Sequence, residues 1–564
     1  MSADLTDLLA SESTSKSASR SEVPVDLAPA FVPTTMFWTP GVRGPVFEGP
    51  EMAELTARTR EPLYVIRTSD MPLPGVGVGG ALSERPGDYR VAAIVPAMRP
   101  EQLGDATFRA AHGTDCAYVV GEMANGIATA ELVIAAARAG LLGFFGAAGL
   151  RADRVDSAIS RIVDALPDRA NWGVNLIHSP AEPRAEEAMA DLLISRRVPA
   201  VCASAFMELT PSVVRAAVSG LTQGPDGRVR RARRILAKIS RPEVAAAFMA
   251  PPPVPILRSL VDGGLLTAPE AGLAARIPVA EDVTVEADSG GHTDNRPLLA
   301  LLPEILALSG SAAREYGYDS PLRVGAAGGL GTPAAVAAAF ALGAAYVLTG
   351  SVNQAAVESG LSADAKRMLA DAGTADVAMA PAADMFELGV RLQVLRRGSM
   401  FAFRAERLYQ VYAAHSSWDE VPQRIRDKIE REILRTSFDA VWIETRRFWL
   451  EREPEQAVRA DNDAKHRMAL VFRWYLGMSS RWAIEGQAER RADYQIWCGP
   501  AMGAFNRWAE GSLLAEPAGR TVAQIARNLL EGALAVARAQ QLRSHGVAVP
   551  AAAFHYAPRP LETS

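Results

Sequence analysis

The sequence predicts an α/β protein built on a closed (β/α)8 TIM barrel. Between about residues 101 and 400, short apolar segments alternate with helical segments, a pattern typical of parallel strands joined by helices. Several apolar segments end in Gly, Asn, Ser or His, which favours a barrel with a site at one rim. A dinucleotide-binding sheet would need an early GxGxxG after its first strand, and none is present. The predicted strands are 116–123, 143–149, 172–177, 200–206, 234–240, 283–289, 322–328 and 345–351.

The rest of the chain divides by composition. Residues 1–30 are rich in Ser, Ala and Glu and predict a disordered leader. Residues 31–100 contain many Pro and Gly residues around two strand candidates, LYVIR and YRVAAIV, and predict a small β-rich segment. Within the barrel, the stretch at about 247–282 is longer than a loop needs and predicts a helical insertion or lid. Residues 401–564 predict an all-α region that packs on the barrel or on a second subunit, so a homodimer is one assembly the sequence allows.

Charge and cysteine content narrow the class of protein. Of the 564 residues, 49% are hydrophobic and 22% charged, as in soluble globular proteins with a large core. The net charge of -5 argues against nucleic acid as a partner. The three cysteines have no CxxC spacing, which predicts no metal site and favours the cytoplasm as the compartment. From the sequence we expect neither a secretion signal nor a membrane span.

Two neighbouring segments carry the chemistry. VEADSGGHTDN at 285–295 is a predicted strand that ends in two glycines and His292. RVGAAGGLGTP at 323–333 is a strand, a glycine cluster and a helix start, with Thr332 as N-cap and Pro333 in the first turn. Glycines let backbone N–H groups approach an anion, and a helix N-terminus favours one. The sequence therefore predicts a barrel enzyme that holds a phosphorylated cofactor.

These segments resemble a known family. VEADSGGHTD, VGAAGGLGTPAAVAAAFALGA and VLTGS are similar to the FMN-binding barrels of nitronate monooxygenases and flavin-type enoyl-acyl-carrier-protein reductases. GEMANGIATAELVIAAARAGLLGFFGAAGL, NLIHSPAEPRAEEAMADLL, AKISRPEVA, MAPAADMFELG and DYQIWCGPAMGAFN resemble the trans-acting enoylreductases of the PfaD type. Those enzymes serve polyunsaturated-fatty-acid synthases and trans-acyltransferase polyketide synthases. The resemblance covers about residues 40–545.

The resemblance implies a function, a cofactor and a partner. It implies an enoyl reductase that binds FMN, takes hydride from NADPH and acts on acyl thioesters carried by acyl carrier protein domains. His292 is then the candidate catalytic proton donor, because an imidazole suits acid–base work near neutral pH. Lys238 would face the flavin pyrimidine and Asn175 the ring edge or ribityl chain. The implied cofactor-binding residues are Met123, Ala124, Asn125, Gly126, Asn175, Lys238, Gly290, Gly291, Gly328, Gly329, Gly350 and Ser351.

Several alternatives stay open at this point. The chain could be a nitronate monooxygenase-like oxidase with His292 as a base, or a flavin-binding scaffold without turnover. The segment GEMANG differs from the apolar, Pro-containing turn of the monooxygenases, which favours the reductase. Lys238 could instead pair with an acid. Glu286 and Asp288 alternate with apolar neighbours, so at most one points inward and no carboxylate pair is expected. The arginine-rich run at 226–234 is either a solvated face or a docking patch for the carrier protein.

Overall fold

A closed barrel of eight parallel strands forms the centre of the molecule. The computed structural model describes residues 35–180 and 182–562, and the predicted leader at 1–30 lies outside this range. All eight predicted strands are present, and each pairs with the next along the chain until the last closes on the first. The fold-class prediction is confirmed. The strands are Tyr118–Val120, Leu142–Phe145, Trp172–Ile177, Ala200–Ser204, Arg234–Ile239, Asp282–Glu286, Arg323–Ala327 and Val347–Thr349, called barrel strands 1 to 8 below.

Alternate residues of these strands fill the barrel interior. Phe144, Cys202, Leu236 and Tyr346 pack together inside, while their neighbours face the surrounding helices. The helix Val522–Ser544 packs against both Pro333–Ala341 and Ala130–Arg138, so it closes the outer ring from a distant part of the chain. The ring helices are Ala130–Arg138, Ala152–Ala165, Pro183–Ser195, Pro211–Val218, Pro242–Met249, Leu298–Tyr316, Pro333–Ala341 and Val522–Ser544.

Charged residues close the amino end of the barrel. Arg323 donates two hydrogen bonds to Asp282, which His112 also contacts, and all three side chains are buried. Two arginines of the run at 226–234, Arg231 and Arg234, pair with Glu281 at this same end. The run therefore stabilises the fold at the end opposite the predicted site.

The insertion predicted at 247–282 consists of the short helices Val254–Asp262 and Ala268–Ala274. Glu270 Oε1 accepts a hydrogen bond from the backbone N–H of Gly220, and Tyr318 donates to the carbonyl of Met249. Gly220 and Tyr318 both precede barrel strands, so these contacts place the insertion at the amino end. Of the two alternatives for this segment, the structure has the helical insertion and not the lid, because the loop that carries it lies at the amino end of the barrel. A hairpin of Thr222–Gln223 and Val229–Arg230 lies beside it.

A five-stranded antiparallel sheet precedes the barrel. Both strands predicted in this region, LYVIR and YRVAAIV, are present. Met52 and Leu55 of the helix Pro50–Ala57 pack with Leu542, so the sheet lies on the ring-closing helix. In spatial order the strands are Gly75–Val78, Leu63–Arg67, Arg90–Val95, Phe37–Thr39 and Ala81–Ser83.

A largely helical insertion separates barrel strand 8 from the ring-closing helix. Phe472, Tyr475 and Trp482 form part of its core. It also contributes the strands Val377–Pro381 and Arg391–Leu395 to a small sheet, whose third strand, Gly291–His292, comes from the barrel. Its helices are Ser351–Gln354, Ala363–Ala370, Phe401–Ala414, Gln423–Ile429, Phe438–Arg452, Pro454–Asn462, Ala464–Glu485 and Pro500–Ala509, with a π-helical turn at Glu430–Leu434.

The length and hydrophobicity of a helix decide whether it can cross a bilayer. In residues 35–180 and 182–562, no single helix is long and apolar enough to cross a membrane. The helices Pro242–Met249 and Val254–Asp262 meet the criteria only when joined, and they are bent by 55°.

Candidate active site at the carboxyl end of the barrel

Polar side chains from adjacent strands line the carboxyl end of the barrel. The alternation that buries Cys202 and Leu236 inside the barrel also turns Ser204 and Lys238 inward, one step higher. Glu286 does the same on strand 6. This end therefore has a polar floor on strands 4 to 6.

Lys238 is held between two carboxylates on this floor. Its Nζ lies 2.8 Å from Glu122 Oε1 and 3.2 Å from Glu286 Oε1. Burial alone would lower the pKa of Lys238, but the attraction of Glu122 and Glu286 outweighs it and raises that pKa. The sequence left open whether Lys238 pairs with an acid, and the structure shows that it does. Of Glu286 and Asp288, only Glu286 contacts Lys238, as expected, whereas Asp288 accepts from Gln393. The second carboxylate at Lys238, Glu122, comes from the loop after strand 1.

His292 is fixed by a carboxylate from the insertion. The strand Gly291–His292 pairs antiparallel with Arg391–Leu395, which brings His292 beside Asp384. Because a carboxylate only accepts, His292 Nε2 donates to Asp384 Oδ1, at 3.1 Å. Burial lowers the pKa of His292, but the hydrogen bond and charge of Asp384 outweigh it, so the pKa lies above its usual value. The His292 side chain is 34% exposed and open to a ligand.

The loop that presents His292 is braced by the insertion. Gln393 Nε2 donates to Asp288 Oδ1 and to the carbonyl of Ser289, both at 2.7 Å. Gly290 lies backbone to backbone against Cys498, where an added Cβ would come within 2.8 Å of the Cys498 nitrogen. Close approach to the insertion therefore explains the glycine at 290, and its role toward a cofactor stays a prediction.

The glycine loop after strand 7 is open on one side. Gly328 and Gly329 both have a left-handed backbone, with φ of 85° and 72°. An added Cβ at Gly329, or at Gly350 after strand 8, would meet nothing within 4 Å. As predicted, Thr332 caps the helix Pro333–Ala341, its side chain accepting from the Ala335 N–H. These loops leave an unfilled cradle beside a helix N-terminus, as an anion requires.

The other two glycines of the cluster do not contribute to this cradle. A side chain at Gly325 would overlap the ring of Tyr346 inside the barrel. A side chain at Gly331 would overlap the carbonyl of Ala501 in the insertion. Both glycines are needed for packing.

The segment 497–501 of the insertion lies across three barrel loops. Besides its contacts at Gly290 and Gly331, the backbone N–H of Gly499 donates to Ser351 Oγ at 3.3 Å. Gln354 donates to the carbonyl of Trp497. The segment belongs to the motif DYQIWCGPAMGAFN, and it holds the loops after strands 6, 7 and 8 together.

The loop after strand 1 continues the rim next to the loop after strand 8, because these two strands pair with each other. Asn125 has a left-handed backbone with φ of 58°, and its Nδ2 donates to Ser480 Oγ in the insertion at 3.1 Å. Met123 and Ala124 precede it and Gly126 follows. Asn175 Oδ1 accepts from the N–H groups of Ala147 and Ala148, at 2.7 and 3.2 Å. These bonds fix the Asn175 side chain at the rim.

The residues at this end fit a flavin mononucleotide. The cradle at Gly329 and Gly350 is free of side chains and can hold one phosphate. Asn175 and Lys238 supply polar groups on the adjoining floor. Among the described residues, no group of three or more His, Cys, Asp or Glu could hold a metal ion.

Comparisons with known proteins show the family to which the chain belongs. Residues 113–426 match the family model of nitronate monooxygenase, and residues 415–494 match that of the inserted helical domain of [acyl-carrier-protein] S-malonyltransferase. The first match covers more than half of the chain. The chain belongs to the nitronate monooxygenase family, a family of barrel oxidoreductases.

Individual proteins that are similar to the chain narrow its position within this family. It is 45% identical over 460 residues to a polyunsaturated fatty acid synthase subunit of Thraustochytrium sp., covering 80% of this chain and 31% of the relative. It is 41% identical over 430 residues to the polyketide biosynthesis protein PksE of Bacillus subtilis, covering 76% and 56%. The enoyl reductase domain of MlnA, from the macrolactin biosynthesis cluster of Bacillus amyloliquefaciens, superposes with a TM-score of 0.75 at 35% identity, covering 79% and 100%. The resemblance to PfaD-type enoylreductases is confirmed. The chain spans less than two thirds of the length of both curated relatives.

The structure brings the predicted site residues to one end of the barrel, where His292, Lys238, Asn175 and the glycine loops converge. Sequence reasoning missed Asp384 and Gln393, which position His292 and its loop. The motif MAPAADMFELG contains Asp384, but nothing in its spacing indicates a histidine partner. The cofactor roles assigned to individual residues stay predictions.

Proposed function

We propose that the chain is an FMN-dependent, NADPH-consuming enoyl reductase that acts in trans on 2-enoyl thioesters of acyl carrier protein. The observation that carries the proposal is His292, fixed by Asp384 beside an open phosphate cradle. The MlnA domain, which the chain covers completely, is named an enoyl reductase. The relatives named for polyunsaturated fatty acid and polyketide synthesis support a role in one of those processes.

In this proposal the chain supplies binding and orientation. When bound, FMN provides the hydride chemistry between NADPH and the β-carbon of the enoyl group. Backbone N–H groups at Gly328, Gly329 and Gly350 hold the phosphate. Asn175 and the loop 123–126 border the ring.

His292 handles the proton in the proposed reaction. Asp384 raises the pKa of His292 and so favours the protonated imidazole, the form that can donate to the α-carbon of the thioester. Asp384 fixes the ring and stabilises the charged form. Its bond to Nε2 leaves Nδ1 as the nitrogen that faces the substrate.

The proposed function also includes a partner, the acyl carrier protein, and a cellular compartment, the cytoplasm. Carrier-protein domains of a synthase would deliver the acyl thioester to the carboxyl end of the barrel. The arginine run at 226–234 is not their docking patch in this proposal, because it lies at the opposite end with three of its arginines engaged inside the protein. Cys116, Cys202 and Cys498 are all free and buried, which supports the cytoplasm.

A nitronate monooxygenase-like oxidase is the second candidate, because the family model of that enzyme matches residues 113–426. In that reaction His292 would accept a proton from the substrate. The raised pKa of His292 favours the acid role over the base role.

NADPH consumption under anaerobic conditions, with and without a crotonyl-type thioester, separates the candidates. A reductase consumes NADPH without oxygen only when the enoyl group is present. An oxidase needs oxygen, and a scaffold responds to neither addition. If NADPH is consumed at the same rate with and without the thioester under anaerobic conditions, the proposed function is contradicted.

A further inference from the structure

Two glutamates share one lysine on the floor of the site. Glu122 and Glu286 both contact Lys238 within 3.2 Å, and among the described residues neither forms an ion pair with another cation. If all three groups were ionised, one net negative charge would remain where little water reaches. Such a charge is costly, and binding a single proton removes it.

The surroundings decide which glutamate binds that proton. Glu122 Oε1 accepts from Lys238 at 2.8 Å and from Ser204 at 2.9 Å, and its side chain is 5% exposed. Glu286 Oε1 has longer contacts, 3.2 Å to Lys238 and 3.3 Å to Ser289, and its side chain is 20% exposed toward the mouth. The shorter bonds stabilise the charge on Glu122, so the proton belongs on Glu286.

The pKa directions agree with this assignment. Burial and the charge of Glu122 raise the pKa of Glu286 despite Lys238. The pKa of Glu122 is lowered although burial opposes this, because Lys238 and Ser204 favour its charged form. Cys202 faces the same cluster from strand 4, and burial raises the pKa of its thiol well above the ordinary value, so it stays neutral. The charge of Glu286 also acts on His292, whose pKa it helps Asp384 to raise.

We propose that Glu286 is protonated in the resting protein and supplies the proton that restores His292 after each turnover. This proposal rests on the proposed function. Hydride goes to the β-carbon and the His292 proton to the α-carbon. Glu286 then gives its proton to the neutral His292 and becomes a carboxylate paired with Lys238. A proton from solvent later returns to Glu286, so no further reactant is needed.

An infrared experiment on the purified chain tests the resting proton without any substrate. Wild type should show the carbonyl band of a protonated carboxylic acid at pH values above the usual pKa of a glutamate, where ordinary carboxyl groups are ionised. Glu286→Gln should lose this band. Glu122→Gln should lose it as well, because a single remaining carboxylate opposite Lys238 ionises. Asp288→Asn, which changes a carboxylate in the same loop, is the matched control and should keep it. A band that persists in Glu286→Gln, or its absence from wild type, overturns the assignment.

A kinetic experiment tests the supply of the proton. In Glu286→Gln, the first transfer to a crotonyl-type thioester should be faster than the turnovers that follow it, because only the later turnovers need His292 to regain its proton. Steady-state turnover at alkaline pH should fall by up to roughly 10²-fold, the lower end of what losing an acid costs. Added imidazole buffer should restore it. Unchanged turnover, or a fall that imidazole does not relieve, contradicts the supply role. If wild type shows no enoyl-dependent NADPH consumption, the proposed function fails, while the infrared result still decides whether Glu286 is protonated.

Discussion

His292 Nε2 lies 3.1 Å from Asp384 Oδ1, although 92 residues separate the two side chains along the chain. His292 comes from the loop after barrel strand 6, and Asp384 follows the strand Val377–Pro381 of the insertion. The pairing of Gly291–His292 with Arg391–Leu395 joins the two parts. The barrel therefore supplies the histidine, and the insertion fixes its orientation.

Replacing His292 by Ala should separate two half-reactions. The variant should keep its flavin and its reduction by NADPH, because neither needs the imidazole proton. Transfer to the enoyl thioester should slow by roughly 10²–10⁴-fold, as expected for the loss of a general acid. Stopped-flow measurement of both half-reactions on the same protein checks this.

His178→Ala is the matched control for that experiment. His178 also contacts a carboxylate at the carboxyl end, with Nδ1 2.9 Å from Glu186 Oε2, but Glu186 belongs to a ring helix. Both half-reactions should keep their rates in this variant. Equal slowing in the two variants, or loss of flavin alone in His292→Ala, would make His292 a structural residue.

The pH dependence of the second half-reaction should respond to Asp384. In wild type the pKa of His292 lies above its usual value, so the rate should fall as pH rises through that raised pKa. Asp384→Asn removes the charge that favours the imidazolium, so the pKa of His292 decreases and the fall moves to lower pH. Rates measured at a series of pH values in both proteins check the direction. If the rate falls over the same pH range in both proteins, Asp384 does not set the pKa of His292.

The barrel could be predicted from sequence because its signals are local. Each strand is a short apolar run followed by a helix, and Thr332 with Pro333 marks a helix start without any knowledge of contacts. The partners of the site are not local. Asp384 reaches His292, and Glu122 reaches Lys238, through pairings that a single sequence does not record.

The separate roles of the four glycines in the cluster also depend on contacts that are not local in sequence. In sequence, Gly325, Gly328, Gly329 and Gly331 form one cluster. In the structure, Gly325 faces Tyr346 and Gly331 faces Ala501, whereas Gly329 faces open space. The difference depends on strand alternation and on a segment about 170 residues away, so only the cluster as a whole could be predicted.

One noncovalent FMN per chain is the expected cofactor content. The glycine loops form a cradle for one phosphate, and FMN carries one. Denaturation followed by chromatography of the released flavin measures identity and stoichiometry. FAD in place of FMN, or no flavin after reconstitution, would contradict the proposed cofactor.

Gly329→Val should abolish FMN retention, and Gly329→Ala should weaken it. A side chain at Gly329 meets no protein atom, but it enters the space assigned to the phosphate. The left-handed backbone adds a cost of about 1–2 kcal/mol for a non-glycine residue, more for a β-branched one. Flavin content per folded chain, measured by absorbance, checks the result.

Gly227→Ala is the control that measures the cost of a side chain on a left-handed backbone without any effect on the phosphate site. Gly227 has φ of 77° and equally open surroundings, but it lies in the hairpin at the amino end of the barrel. It should lose similar stability and keep its FMN. If both alanine variants retain FMN equally, the phosphate does not lie at Gly329.

The buried pair Arg323–Asp282 should make a large contribution to stability. Burial would raise the pKa of Asp282, but His112 and Arg323 outweigh it and hold that pKa far below its usual range. A depressed carboxyl pKa contributes stability above the unfolded value of about 3.9, and this stability is lost as pH falls toward the folded value. Arg323→Met leaves the carboxylate with His112 alone and should cost roughly 3–5 kcal/mol at neutral pH. Urea denaturation followed by circular dichroism measures the loss.

Arg230→Met is the control for this prediction. It breaks the exposed pair with Asp226 at the same end and should leave the urea midpoint unchanged, because water screens that pair. Equal midpoints for the two variants would show that the amino-end cluster does not stabilise the barrel.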